Sequence, residues 1–145
     1  MTNDSLKITG HVTAHLYEGP QLIQTVEQPN LIVDTGKNAL ARRIAFAEEP
    51  LIRQIAIGSG TDTPIASDTD ITNQTAIANA LFTEIQDNNV VAFIATFPEG
   101  IGTGDIREVG LFDTENTLIS RTLFSTVFNK LPSQFLNVSW KLQVA

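Results

Sequence analysis

The fold class of this chain follows from one stretch near its end, L-N-V-S-W-K-L-Q-V at residues 136–144. Apolar and polar residues alternate there without exception, and neighbouring side chains of an extended strand point to opposite faces of a sheet. One face of this strand is therefore predicted to be buried, with Trp140 in the core, while the other face meets solvent.

Shorter versions of this pattern recur along the chain, with turn residues between them. A hairpin is predicted within residues 1–29, with its turn at Glu18-Gly19-Pro20. Pro29-Asn30 is expected to interrupt its second strand. Further strands are predicted at residues 51–57, 81–85, 90–97, 106–112 and 117–124.

One helix is predicted near residues 36–48, because apolar residues recur there at helical spacing after a possible cap at Asp34 or Thr35. Residues 76–80 are compatible with a helical turn. About eight strands and one short helix predict a mainly β fold, an antiparallel β-sandwich with long polar loops. We expect residues 1–145 to form a single domain.

Composition narrows the classes of function. Cysteine is absent, which excludes disulfides, thiolate metal sites and a cysteine nucleophile. The net charge is -7 and the 9 basic residues are scattered, a pattern that argues against nucleic acid as a partner. No apolar run approaches the roughly 20 residues of a membrane helix, and the N-terminus lacks the order of a signal peptide.

A polar segment follows the strand that ends at Ile57. It belongs to the stretch I-A-I-G-S-G-T-D-T-P-I-A-S-D-T-D-I-T-N at residues 55–73. We interpret Gly58 and Gly60 as a hinge out of the sandwich, and residues 61–73, the polar arm, as a contact arm for another subunit. Its deletion should then leave the fold largely intact. The candidate contact residues are Thr61, Asp62, Thr63, Pro64, Asp68 and Asp70.

A second candidate contact region is the glycine loop, residues 98–105. Glycine permits close approach of a partner, so Gly100, Gly102 and Gly104 are candidate contact positions, and a plain mobile loop is the alternative. Gly110 lies inside a predicted strand, where we expect it to accommodate another backbone or an aromatic ring. Phe112 is assigned a structural role with it.

The histidines and the acidic residues lack the spacing of metal ligands. His11 and His15 would lie about 13 Å apart on one strand, too far to share a metal without other ligands. The three aspartates of the polar arm lack the order and the terminal glutamate of a calcium loop. No metal site and no cofactor are therefore predicted.

Catalytic patterns are equally weak. Residues 58–61 follow a strand as phosphate loops do, but the lysine of a P-loop is missing. No nucleophile elbow and no carboxylate pair at glycosidase spacing can be assembled. Arg107 is expected to pair with a glutamate across strands. The sequence therefore predicts a protein that is not an enzyme.

Several motifs in a fixed order resemble those of tailed-bacteriophage virion proteins from the tail, tail fibre or baseplate. They cover nearly all of residues 30–145, and each is weak alone. In order they are N-L-I-V-D-T-G-K-N at 30–38, I-A-I-G-S-G-T at 55–61, S-D-T at 67–69, A-T-F-P at 95–98, I-R-E-V-G-L-F-D at 106–113, L-I-S-R-T at 118–122 and L-N-V-S-W-K-L at 136–142.

The resemblance implies a structural protein in the virion tail region, assembled in the bacterial host cytoplasm. Its partners would be other virion proteins and copies of itself, contacted through sheet edges and extended arms. Residues 1–29 fall outside the resemblance, and they either join the sandwich or reach a neighbouring subunit. The alternative is a carbohydrate-binding module for a host glycan, which would need exposed aromatic rings, whereas Trp140 alternates into the core.

Overall fold

Nine strands and one helix lie between residues 7 and 145, the part of the chain that the computed structural model describes, the side chain of Phe82 excepted. Residues 1–6, which include the beginning of the hairpin predicted within residues 1–29, lie outside it. The elements are β1 (Ile8–Glu18), β2 (Gln21–Ile32), α1 (Asp34–Ala45), β3 (Ile52–Gly58), β4 (Gln74–Asn79), β5 (Phe82–Gln86), β6 (Val90–Phe97), β7 (Gly104–Asp113), β8 (Leu118–Lys130) and β9 (Gln134–Val144).

All nine strands belong to one antiparallel sheet in the order β4-β3-β7-β8-β2-β1-β9-β6-β5. The sheet curls, because residues from both of its halves, among them Ile55, Val109, Phe93 and Trp140, pack into one core. The predicted mainly β fold with one short helix is confirmed. The two layers of the predicted sandwich are the halves of this single curled sheet.

The N-terminal hairpin lies inside the sheet over its described residues. Strand β1 pairs with β2 on one side and with β9 along its full length on the other. Val12 and Ala14 have no exposed surface. The expected interruption at Pro29-Asn30 is wrong, because β2 continues through these residues to Ile32. The strand changes partner there: Asn30 pairs with Gly10 of β1, and Leu31 pairs with β8.

The helix is shifted towards the N-terminus relative to its prediction. It begins at Asp34 and ends at Ala45, and neither predicted cap forms the expected bond. The Asp34 N–H donates instead to the carbonyl oxygen of Ala66 at 2.8 Å. The hydroxyl of Thr35 donates to the carbonyl oxygen of Leu118 at 2.7 Å. The first N–H group of α1 is therefore satisfied by a distant segment rather than by a capping side chain.

Two other boundaries also differ from expectation. Residues 76–80 form no helical turn: residues 76–79 lie in strand β4, which pairs with β3. Strand β8 continues to Lys130, well past the predicted end at Phe124. Within the described residues, no helix has the length and apolar character that crossing a membrane requires.

Trp140 lies in the core, with no exposed surface. In the amide orientation that satisfies both groups, the indole N–H donates to the side-chain oxygen of Asn30 at 3.1 Å. A buried indole usually needs such a partner, since an unpaired buried donor is costly. This bond joins β9 to β2 across the intervening strand β1.

Candidate functional site

The polar arm lies against the outer face of β3, β7 and β8. Ile71, only 5% exposed, anchors it in a small apolar cluster with Val33, Ala56, Phe112 and Leu118. Burial of a large apolar side chain holds the segment down on the sheet. The arm therefore does not leave the fold, and the interpretation of Gly58 and Gly60 as an outward hinge is wrong.

A buried group of charges binds the polar arm to the sheet. Arg121 is 2% exposed, and one of its Nη atoms donates to Asp68 Oδ2 at 3.0 Å. Its other Nη atom lies 3.7 Å from Oε1 of Glu108, which is fully buried. Glu108 also accepts hydrogen bonds from the backbone N–H groups of Thr72 and Asn73. The arm thus supplies both a carboxylate for Arg121 and donors for Glu108.

These contacts make the arm part of the electrostatics of the fold. Burying a charge is unfavourable unless it is paired and hydrogen-bonded. Arg121 Nε has no partner among the described atoms, so the two Nη atoms make all of its bonds there. One of them also donates to the carbonyl oxygen of Asp62 at 3.3 Å. Removing the arm would leave Arg121 and Glu108 with few partners.

The glycines beneath the arm provide space. A Cβ added at Gly110 would lie 2.8 Å from Cγ2 of Ile71 and 2.9 Å from a ring carbon of Phe112. A Cβ at Gly60 would collide with the carboxylate of Glu108, and one at Gly58 with the carbonyl of Asn73. The arm reaches the sheet closely because these three positions carry no side chain.

The candidate contact residues of the arm divide into two sides. Pro64 and Asp68 are half-buried, and the carboxylate of Asp68 points inward and accepts a hydrogen bond from Arg121. The exposed outward positions are Thr61, Asp62, Thr63 and Asp70. Among the described residues, no group of three histidine or acidic side chains is arranged to hold a metal ion.

The glycine loop adopts a backbone that glycine favours. Gly100, Gly102 and Gly104 have φ values of 78°, 69° and 108°, a region that other residues rarely enter. The loop is tied down by a hydrogen bond from the Gly100 N–H to the carbonyl oxygen of Pro132 at 3.0 Å. At its tip, Ile101 is 47% exposed.

Lys130 is a feature that sequence reasoning missed, since β8 was expected to end before it. It is 1% exposed, and its Nζ donates to the carbonyl oxygen of Pro98 at 2.9 Å. Burial lowers the pKa of Lys130 below its usual 10.5, and the nearby Glu99 partly opposes the shift. The residue fastens the base of the glycine loop to the end of β8.

Two further charged pairs lie away from the arm. Arg107 pairs with Asp105 at 3.1 Å, two residues away on the same strand, so the predicted cross-strand pair with a glutamate is wrong. Arg43 donates to the carbonyl oxygen of Ala39 at 2.7 Å and lies 3.5 Å from Asp113. The contact with Asp113 fastens α1 to the end of β7.

Phe46 is an aromatic residue with much exposed surface, 53%, and the guanidinium of Arg42 lies 4.9 Å from its ring centroid. Trp140 is buried, and the ring of Tyr17 stacks on that of Phe135 with centroids 5.0 Å apart. No observation among the described residues specifically favours the carbohydrate-binding alternative.

Comparison with known proteins decides the family. Residues 27–127, more than half of the chain, match the model of the phage tail-collar fibre protein, N-terminal. The chain belongs to this family. The resemblance to phage tail and tail-fibre proteins is thereby confirmed, and the tail-collar fibre domain is a structural component of the virion tail. The search of the curated proteins gave no match, nor did that of the solved structures.

The matched span of the tail-collar fibre domain contains the whole polar arm, the glycine loop and Arg121. It begins within β2 and ends within β8. The features that bind the arm to the sheet therefore lie inside the family's own domain.

Proposed function

We propose that this tail-collar fibre domain acts as a single non-enzymatic unit. It would assemble in the tail, baseplate or fibre-attachment region of a tailed-phage virion, after synthesis in the host cytoplasm. Its partners would be other virion proteins and copies of itself. The observation that carries the proposal is the polar arm, which is fixed on its inner side and exposed on its outer side.

A fixed arm suits assembly for an energetic reason. Ordering a flexible segment on binding costs free energy, and a segment already held in place avoids most of that cost. The arm is held by Ile71 and by the pairing of Asp68 with Arg121. Its outward residues therefore present a constant surface to a partner.

The outward side of the arm also carries charge. Asp62 and Asp70 are exposed there, in a chain of net charge -7. Charge complementarity governs partner choice and association rate more than raw affinity. A partner surface bearing arginine or lysine would therefore fit the arm, while an acidic surface would be rejected.

The glycine loop would supply a second, separate contact. Gly102 packs against Ile57, directly before Gly58, where the chain turns towards the arm. The exposed Ile101 at its tip would offer an apolar contact, whereas the arm offers charge.

The proposal can be tested in phage particles by reversing charge on the arm. Asp62→Lys with Asp70→Lys should reduce the amount of this chain in purified virions, measured by quantitative mass spectrometry. The matched control is Glu84→Lys with Asp87→Lys, which reverses two exposed acidic residues away from the arm. The control should assemble normally.

Two outcomes would contradict the proposal. Wild-type virions that contain none of this chain would exclude a structural role. Full incorporation of the arm variant, with circular dichroism showing a folded protein, would mean that the outer side of the arm makes no essential contact.

A further inference from the structure

The sheet of this domain ends in two edge strands, β4 and β5, and each has one strand neighbour among the described residues. An edge strand presents a row of unpaired N–H and C=O groups that another extended chain can pair with. The two edges differ in their sequences, and that difference distinguishes their partners.

The direction of the free backbone groups on β4 follows from its pairing with β3. The N–H of Ala80 donates to the carbonyl oxygen of Arg53 at 2.6 Å. In an antiparallel pair, successive residues direct their backbone groups alternately to one side and the other. The groups of Ala78 therefore face β3, whereas those of Ile77 and Asn79 face the free edge.

Strand β4 lacks the usual protection of an edge. Its sequence, Q-T-A-I-A-N, contains no charged residue and no proline. Natural edge strands are commonly blunted by charge, proline or a bulge. The bulge in its pairing with β3 lies at one end of the strand, between Ile57 and Gly58, and leaves the centre regular.

Strand β5, in contrast, is protected by a charged residue. Its sequence is F-T-E-I-Q, with Glu84 at the centre and exposed. If β5 paired antiparallel with its own copy about the strand centre, two Glu84 carboxylates would face each other. Like charges directly opposite destabilise a strand pair. This edge therefore rejects a second copy, while β4 does not.

We propose that β4 pairs antiparallel with β4 of a second copy of this chain, across a two-fold axis at Ile77. Ile77 would face Ile77 of the second copy, and Thr75 would face Asn79. The register uses the backbone groups that point outward, and it places no charged residues opposite each other. The interface is isologous, as two-fold symmetry requires. The inference rests on the proposed self-assembly and names one edge that performs it.

The side chains of β4 fit this arrangement. Ala76 and Ala78 are half-buried towards the core, whereas Ile77 lies on the outer face with 40% of its surface exposed. Pairing would cover Ile77 with an identical residue. A single short strand buries less area than a stable dimer needs, so the contact should be weak and concentration-dependent. Repeated copies in a virion would strengthen it.

The absence of cysteine in the chain allows a clean cross-linking test. Ile77→Cys introduces a single thiol on β4, and Ile85→Cys introduces one on β5, where Ile85 is 65% exposed. With a short bis-maleimide, the full-length Ile77→Cys protein should form a covalent dimer. The Ile85→Cys protein should remain mostly monomeric. Equal cross-linking of the two, or preferential cross-linking of Ile85→Cys, would overturn the proposal.

A second measurement tests the edge without a cross-linker. Ile77→Lys should raise the dimer dissociation constant by about tenfold, because two ammonium groups would then face each other across the axis. Ile85→Lys should leave it unchanged. Analytical ultracentrifugation measures the constant, and circular dichroism verifies the fold. An unchanged constant for Ile77→Lys, or a wild-type chain that stays monomeric at its highest soluble concentration, would exclude this pairing.

The test of the β4 pairing and the test of the proposed function can fail independently of each other. Incorporation into virions is measured on particles through the arm variants. A monomeric wild-type chain that still enters virions would refute the β4 pairing alone. A chain that dimerises through β4 but is missing from virions would refute the tail role alone.

Discussion

The two halves of the sheet differ in whether another segment covers their outer face. On one half, Glu108, Gly110 and Phe112 of β7 are all buried, because the polar arm covers them. On the other half, Asn137 and Ser139 of β9 remain half-exposed in an uncovered polar face. The same strand alternation operates in both halves, so alternation alone does not decide which outer face is covered.

Residue size and charge account for the difference. Gly110 and Ala56 leave room above β7 and β3, and Arg121 provides a charge that a carboxylate from elsewhere must neutralise. The polar face of the other half already satisfies itself, for example through the bond from the hydroxyl of Thr96 to the side-chain oxygen of Asn137 at 2.7 Å. A covering segment packs where a face leaves space unfilled and a charge without a partner.

The largest effect is expected from removing the buried cation of the covered face. Arg121→Leu should lower the free energy of unfolding by about 3–5 kcal/mol, because it leaves the fully buried Glu108 and the carboxylate of Asp68 without their cation. Urea denaturation followed by circular dichroism measures the change.

The control for that variant is Arg107→Leu, which breaks a solvent-exposed pair with Asp105. Its effect should stay below about 1 kcal/mol. Comparable losses in the two variants would show that the arm contributes no more than a surface ion pair, and the distinction between the two faces would fail.

A smaller effect is expected from closing the space beneath the arm. Gly110→Ala should destabilise the fold by about 1–3 kcal/mol, because the added methyl group meets Ile71 and Phe112. On the uncovered face, Ser139→Ala should change stability by no more than about 0.5 kcal/mol. Thermal unfolding of the two variants measures both. A neutral Gly110→Ala would mean that the arm shifts without loss.

The smallest effect concerns the second buried cation of β8, Lys130, which has a carbonyl oxygen as its partner in place of the carboxylates around Arg121. Its folded-state pKa is lowered below 10.5 by burial. Between that lowered pKa and 10.5 the unfolded chain binds more protons, so wild-type stability should gain from Lys130 as pH rises through this window. Lys130→Met should remove that gain.

The measurement is the urea midpoint over an alkaline pH series, taken as the difference between wild type and variant. Lys141→Met, at an exposed position of β9, is the control and should leave the slope unchanged. A wild-type slope that persists in Lys130→Met would assign the pH dependence to other groups.

Most of the strands could be predicted because their signal is local. In β9 and β6, burial depends on alternation or on a continuous apolar run that a few residues contain. The start of α1 was displaced because the N–H of Asp34 bonds to Ala66 and the hydroxyl of Thr35 to Leu118, which no local pattern reveals. The extension of β8 to Lys130 likewise depends on pairing with the start of β7.

The candidate site was predicted in part. The sequence identified the polar arm, its glycines and the unusual Gly110, but the arm was expected to project from the fold. The sequence did not reveal that Glu108 accepts hydrogen bonds from Thr72 and Asn73. These residues precede Glu108 by 36 and 35 positions along the chain. A carboxylate in an alternating strand looks the same whether it faces water or a covering segment.

Composition and short-range periodicity are enough to predict a mainly β fold with one helix, Trp140 in the core and no cysteine chemistry. They do not reveal that Arg121, Glu108 and the polar arm meet, or which edges of the sheet stay free. These depend on the folded chain, because a buried charge is stable only beside its partners, and those partners come from distant parts of the chain.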